Sequence, residues 1–314
     1  MEEELLAPVR ALRQQMRDFP INTKPDPNLK RDLEPGFLLP YLLEFDSLTY
    51  HRWDYWYTAI CHQKLPEEPI PQVDWLHTPD PRARKMIETT LDAIPRHGSW
   101  QSMDGWQYFR YLLEWMLWGF GLPGYEEPKE PYGCEGASMR VYQILNLCAW
   151  MLYPYDYLGD LLAEHAYGRK QGFFPTPMSL CQLMAGLLFD PSQDHRTETV
   201  CDPTVGTGRL LLVASNHSLR LYGCDIDPLM CLATLVNGYL FAPWMVRPFP
   251  FLDGDNLNPA KSRQISDSIV AQADPEVAQQ LAETEHDQEL AARYEPIKKR
   301  RRKDETEVKQ GCLF

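Results

Sequence analysis

Residues 202–208 read DPTVGTG: an acid, a proline, then Gly206 and Gly208 around a threonine, directly after the short run ETVC. A strand that ends in an acid and turns through two glycines into a helix brings main-chain N–H groups close to a ligand, because no Cβ stands in the way. The spacing is neither the G-x-G-x-x-G dinucleotide pattern nor the lysine-bearing phosphate loop, and an acid at the strand end would repel a pyrophosphate. Asp202 suits a cationic amino group instead. The next β-rich run closes on GCDIDP. Its Asp225 stands at the end of a second strand, the place from which an acid receives the two hydroxyls of a ribose. A third run, RPFPFLDGD, ends in Asp255, placed to accept from an adenine amino group. A cationic amino acid, a ribose and an adenine together describe S-adenosylmethionine. Asp227 is expected to cap the helix that follows it.

These acids need a scaffold. ETVCDP, LRLYGCDID and RPFPFLDGD read as strands, RLLLVASNHS and PLMCLATLVNGYLF as the helices between them. Such alternation predicts βαβ units and a parallel sheet. Upstream the texture differs. Eight of the nine tryptophans precede residue 151, and GWQYFRYLLEWMLWGFG and MRVYQILNLCAWMLY repeat apolar residues at three and four, so a mainly helical domain is expected there, with its aromatics in the core. Beyond about residue 260 the chain turns polar and charged. VAQQLAETEHDQELAARY can form a helix, and the basic run Lys298 to Lys303 follows it in what reads as a mobile tail. The organisation predicted is therefore a helical domain over 1–155, an α/β ligand-binding domain over 156–260, and a charged helix and tail over 261–314.

Composition narrows the function classes. A net charge of −13 argues against a protein that coats nucleic acid with a whole basic face, and leaves room for a local patch such as KKRRRK. No apolar run reaches the roughly 18 residues of a membrane helix. The opening MEEELLAPVR lacks the order of a signal peptide, and the eight cysteines are scattered without a C-x-x-C pair. Reduced thiols in a cytoplasm are expected, with no disulfide frame and no metal site.

DPTVGTG, then YGCDIDP, then GDNL, in this order, resemble the cofactor motifs of the N6-adenine DNA methyltransferases, most closely the modification subunits of type I restriction systems and their single-chain relatives. DYLGDLLAEHAYGRKQGFFPTPMSLCQLMAGLL is similar to the family's preceding segment, a helix, a basic turn and an aromatic-x-Thr-Pro element over the methionine end of the cofactor. The resemblance covers about residues 155–258. It implies a Rossmann-like S-adenosylmethionine-dependent methyltransferase fold with a partial parallel sheet, preceded by a helical DNA-facing domain. It also implies a cofactor site drawn from Phe174, Thr176, Asp202, Pro203, Gly206, Gly208, Asp225, Ile226, Asp255 and Asn256. Pro175 departs from the pattern, since the family usually has an aromatic there.

Methyl transfer to N6 of adenine needs more. The amine's lone pair is delocalised into the ring, so the base is flipped out and an Asn side chain and a carbonyl accept the amino hydrogens. The family places Asn-Pro-Pro-aromatic for this at the end of a fourth strand. Here Asn258-Pro259-Ala260 follows three residues after Asp255, before the chain can have crossed a sheet, and lacks the second proline and the aromatic. Asn258 is thus a weak candidate. Two readings stay open: a DNA-related protein that keeps the cofactor pocket without methyl transfer, and a methyltransferase of reduced type or one completed by a partner chain. Without a fourth strand the first is a sheet edge that something must cover: the helical domain, the helix around 265–292, a restriction-modification subunit or a second copy. Finally, Gln310, Leu313 and Phe314 in KQGCLF fit Gln-x-x-Leu-Phe, which resembles the peptide with which bacterial DNA-processing proteins dock on the replisome's sliding clamp.

Overall fold

The computed structural model describes residues 33–102, 105–165, 172–253 and 312–313. Asp255, Asn256, Asn258, Gln310, Phe314, the 265–292 helix and the basic run lie outside them. Among the described residues no helix is long and apolar enough to cross a membrane.

The first half is helical: α1 (Leu39–Thr49), α2 (Arg52–His62), α3 (Pro81–Asp92), α4 (Gly105–Gly119), α5 (Ala137–Ile144), α6 (Leu147–Met151) and α7 (Tyr157–Glu164). Local chemistry sets their ends. Asp80 accepts from the Arg82 and Ala83 amides and Pro81 supplies a preset φ, so α3 begins there. MRVYQILNLCAWMLY reads as one helix but forms two. Asn146 turns extended and its side chain accepts from the Ala149 amide at 2.9 Å, which starts α6 and ends α5. The wide apolar face of α4 buries Phe109, Leu112, Leu113, Trp115 and Met116.

The second half runs α8 (Met178–Leu188), β1 (Thr199–Asp202), α9 (Arg209–Ala214), β2 (Arg220–Cys224), α10 (Pro228–Phe241), α11 (Pro243–Val246) and α12 (Pro250–Asp253). β1 and β2 pair in parallel, Thr199 opposite Arg220 and Asp202 opposite Gly223, with α9 as the crossover. This is one βαβ unit, smaller than the sheet expected from the sequence. Residues 247–253 of RPFPFLDGD do not form a strand. Pro248 and Pro250 have no N–H to give a ladder, and residues 250–253 wind into α12 instead. The third place in the sheet goes to β3 (Cys312–Leu313), antiparallel to β2 with Cys312 opposite Cys224 and Leu313 opposite Gly223. These two residues therefore depart from the mobile tail that composition predicts.

A continuous core joins the two halves. α10 is its axis: Trp53 and Phe120 both stack on Tyr239, at 5.7 and 4.9 Å between ring centroids. Trp53 Nε1 donates to the Tyr239 carbonyl at 3.0 Å, and Trp56 Nε1 to the Arg247 carbonyl at 2.6 Å. The tryptophans and tyrosines of the first half thus serve largely as core. Arg52 is fully buried and uses all its donors, those of both terminal nitrogens across the junction. Nε gives to the Pro71 carbonyl at 2.8 Å, and Nη1 to Ser215 Oγ at 2.7 Å and the Phe241 carbonyl at 2.8 Å. Nη2 gives to the Ser215 carbonyl and to Asn216 Oδ1, and the guanidinium lies over the Trp244 ring. Burial lowers its pKa to about 9, so it stays charged at neutral pH.

Arg52→Met leaves these carbonyls and side chains without their donor. It should cost about 3–5 kcal/mol in urea unfolding, and Arg52→Lys should recover little, having fewer donors and no planar fork. Asp46 makes a second prediction. Burial pushes its carboxyl from the ordinary 3.8 up to about 7, against the pull of the Trp53 amide it accepts from at 2.7 Å. A pKa raised on folding gives stability that is complete below 3.8 and lost as pH rises through about 7. Asp46→Asn keeps the shape without the charge, so the fall in stability over that window should flatten in pH-resolved denaturation; an unchanged slope would refute the assignment.

Candidate functional site

The DPTVGTG loop sits at the carboxyl ends of both parallel strands, where open α/β sheets gather ligands. Val205 N donates back to the Cys224 carbonyl at 2.9 Å, so the loop folds over the end of β2. Gly206 and Gly208 have φ of 57° and 87°, the left-handed region that favours glycine. The glycines also answer to close neighbours. A Cβ on Gly206 would stand 2.9 Å from Phe173 Cε2, and one on Gly208 2.8 Å from Thr234 Cγ2.

The two acids flank this bare backbone. Asp225 Oδ2 accepts from the Gly206 amide at 3.0 Å and Oδ1 from the Asp227 amide at 2.9 Å, so the acid of the second strand end also latches the loop of the first. Asp202 Oδ1 accepts from the Thr204 amide at 3.0 Å. Burial pushes the Asp202 carboxyl up, and the charge of Asp225 adds to it, against the Thr204 amide. Two half-buried carboxylates beside a main chain stripped of Cβ atoms fit a ligand with a cationic group and hydroxyls. Asp227 caps α10 as its position implies, accepting from the Leu229 amide at 3.0 Å.

Beneath the loop is a network that sequence reading did not single out. Asp156, just ahead of α7, is fully buried. Its Oδ1 accepts from the Gly159 amide at 3.0 Å and Asn237 Nδ2 at 2.9 Å; its Oδ2 accepts from Thr207 Oγ1 at 2.6 Å and Arg209 Nε at 3.0 Å. Arg209 continues outward, Nη2 to Asp160 Oδ1 at 2.7 Å and Nη1 to the Thr176 carbonyl at 3.1 Å. Burial works against the Arg209 charge, yet Asp156 and Asp160 outweigh it and raise its pKa. Thr234 Oγ1 donates to the Gly206 carbonyl at 2.8 Å and Asn237 Nδ2 to the Thr207 carbonyl at 2.8 Å. Four segments meet here: the start of α7, the FFPTP turn, the glycine loop and α10. The one signal available in sequence was that Asp156 opens the DYLGD segment.

The remaining expected residues separate. Thr176 joins through its carbonyl, while its side chain is exposed. Phe173 packs on Gly206, whereas Phe174 is 85% exposed. Pro203 and Ile226 border the loop and are exposed, Ile226 at 70%.

A family model described as N-6 DNA methylase matches residues 154–242, from just before Asp156 to the end of α10 and less than a third of the chain. No curated protein and no solved structure matches the chain. The matched segment holds Asp156, the glycine loop, Asp202, Asp225 and Asn237, and stops short of Asp255 and Asn258.

Asp156→Ala strands Arg209 and Asn237 in the interior. It should lower the unfolding free energy by about 3–5 kcal/mol and speed hydrogen exchange at residues 206–209. Gly208→Ala should cost about 1–3 kcal/mol through its positive φ and the Thr234 contact. Adding Thr234→Ser removes Cγ2 and should restore part of that loss; no recovery in urea unfolding would show that the Thr234 contact contributes nothing.

Proposed function

We propose that this chain binds S-adenosylmethionine and acts on DNA in the manner of the N6-adenine DNA methyltransferases, within a restriction-modification setting, without carrying methyl transfer on its own. The observation that carries this reading is the pairing of Asp202 and Asp225 at adjacent strand ends across the Gly206 backbone, inside the segment that matches the family. In this reading Asp202 faces the amino-acid ammonium of the cofactor and Asp225 the ribose hydroxyls. Gly206 and Gly208 let the main chain approach, and Phe174, Thr176, Pro203 and Ile226 border the ligand. Asp255 and Asn256 complete it at the adenine. When bound, the cofactor supplies an electrophilic methyl group. The chain's own residues bind and orient it, and Asn258 is a weak candidate for drawing on an adenine amine.

A second reading, an active enzyme completed by another chain, is favoured by β1, whose strand neighbour among the described residues is β2 alone. The C-terminal Gln310, Leu313 and Phe314 are proposed to dock on a bacterial sliding clamp. Because Cys312 and Leu313 lie against β2, docking requires their release.

Calorimetry with S-adenosylmethionine should show one site per chain. Asp225→Ala should weaken it by about 1–3 kcal/mol, roughly fivefold to 150-fold in Kd, since both a hydroxyl acceptor and the Gly206 latch are lost. Absence of binding by the unmutated chain sinks the proposal. Adenine-containing DNA and labelled cofactor should give no transfer with the isolated chain; robust transfer that Asn258→Ala abolishes favours the enzyme.

A further inference from the structure

The far end of the chain takes the third place in the sheet, and it brings a cysteine to a cysteine. β3 runs antiparallel to β2 with Cys312 opposite Cys224 and Leu313 opposite Gly223. Directly opposed residues of an antiparallel pair share one face, with Cα atoms about 4.5 or 5.5 Å apart according to their place in the ladder. A disulfide needs Cα atoms about 4.4–6.8 Å apart, so this register satisfies it in either place. The cysteine across the other ladder is no competitor. Cys201 in β1 stands opposite Tyr222, two residues out of register with Cys224. With strands about 4.8 Å apart and a rise of about 3.3 Å per residue, that offset separates the Cα atoms by about 8 Å, beyond disulfide reach. Cys224 is half-buried, and its S–H donates to the Pro203 carbonyl at 3.4 Å, so the sulfur lies against the DPTVGTG turn. The next residue is Asp225, which latches that turn through the Gly206 amide.

We propose that Cys224 and Cys312 are a reversible redox pair: a disulfide between them fastens the C-terminal strand to the carboxyl end of β2, and its reduction lets that strand leave. Two opposed residues supply few ladder hydrogen bonds, each weak in net terms, so the covalent bond decides whether the strand stays. The oxidant is a peroxide. One thiolate attacks a peroxide oxygen; the O–O bond breaks, the sulfur becomes a sulfenic acid, and hydroxide leaves. The second thiolate attacks that sulfur; the S–S bond forms and the sulfenic oxygen leaves as hydroxide. The two protons given up by the thiols turn both hydroxides into water. In sum, two thiols lose two electrons and one peroxide becomes two waters. A dithiol restores both thiols by exchange. In a reducing compartment such a pair acts as a sensor and not as a frame. Where Leu313 is read as a docking residue, the oxidised form withholds it from a partner; that consequence rests on the proposed function, and the bond itself does not.

The test treats the reduced full chain with hydrogen peroxide, blocks the remaining thiols, and maps cysteines by mass spectrometry without reduction. The intact chain should lose two hydrogens. After trypsin, the peptide of residues 310–314, which follows Lys309, should be joined to the peptide that carries Cys224. Dithiothreitol should release it. Cys312→Ser and Cys224→Ser should each abolish the link, and Cys201→Ser should leave it in place. Cofactor and DNA are absent from this experiment, so its result is separate from that of the binding assay. Cys312 joined as often to Cys201 or to the exposed Cys61 as to Cys224 overturns the proposal. So does a link that survives Cys224→Ser, a bond formed only between chains, or oxidation that yields sulfur acids and no bond.

Discussion

Asp156 is buried without solvent contact, and a carboxylate taken out of water costs several kcal/mol unless it is both paired and fully hydrogen-bonded. Its four partners come from four different places: the Gly159 amide in α7, Thr207 in the glycine loop, Arg209 at the head of α9 and Asn237 in α10. Each could be satisfied singly elsewhere; all four together fix one arrangement. The glycine loop therefore does not rely on its own stiffness. It has two glycines in left-handed conformations, which alone would make it floppy, and it is held from beneath by a charge that tolerates no slack.

α10 transmits that constraint along its length. Asp227 caps it beside the second strand end, Thr234 holds the Gly206 carbonyl, and Asn237 holds the Thr207 carbonyl and Asp156. Further on, its Tyr239 and Phe241 carbonyls receive Trp53 and Arg52 from the helical half. Contacts to the glycine loop thus come first along this rod, and the anchoring contacts to the helical half come in its last turn. The helical half is not an appendage to the ligand unit: its deepest cation terminates the helix whose other end caps at the site. Displacing α2 would remove support from the same rod that carries the glycine loop.

What could be read from sequence was local. DPTVGTG, GCDIDP, the span of α10 and the Asp227 cap are set by residues within a few positions of one another, so spacing reveals them. The interactions that hold the site are not local. Asp156 and Arg209 are 53 residues apart, Arg52 and Phe241 are 189, and a buried Asp or Arg has no letter that distinguishes it from a solvated one. Phe173 and Phe174 are adjacent and alike, and only the fold decides that the first lies on Gly206. RPFPFLDGD misleads for a different reason. Its Pro-Phe alternation imitates the period of a strand, while its prolines remove the amides that a strand must offer.

The unfavourable feature of the ligand end is its pair of acids. Asp202 and Asp225 close neighbouring parallel strands, and burial, with the charge of Asp225 added, pushes the Asp202 carboxyl up. Asp225 is relieved by the amides of Gly206 and Asp227, and Asp202 by that of Thr204. Under the proposed function, a cationic ligand would neutralise two carboxylates kept together at neighbouring strand ends, and the loop would be selective by charge. A polyphosphate, the common guest of glycine-rich loops, is repelled by the same acids that attract an ammonium and accept from hydroxyls. The glycines provide close approach in both kinds of loop; under the proposed function the strand-end carboxylates would decide the sign of what approaches.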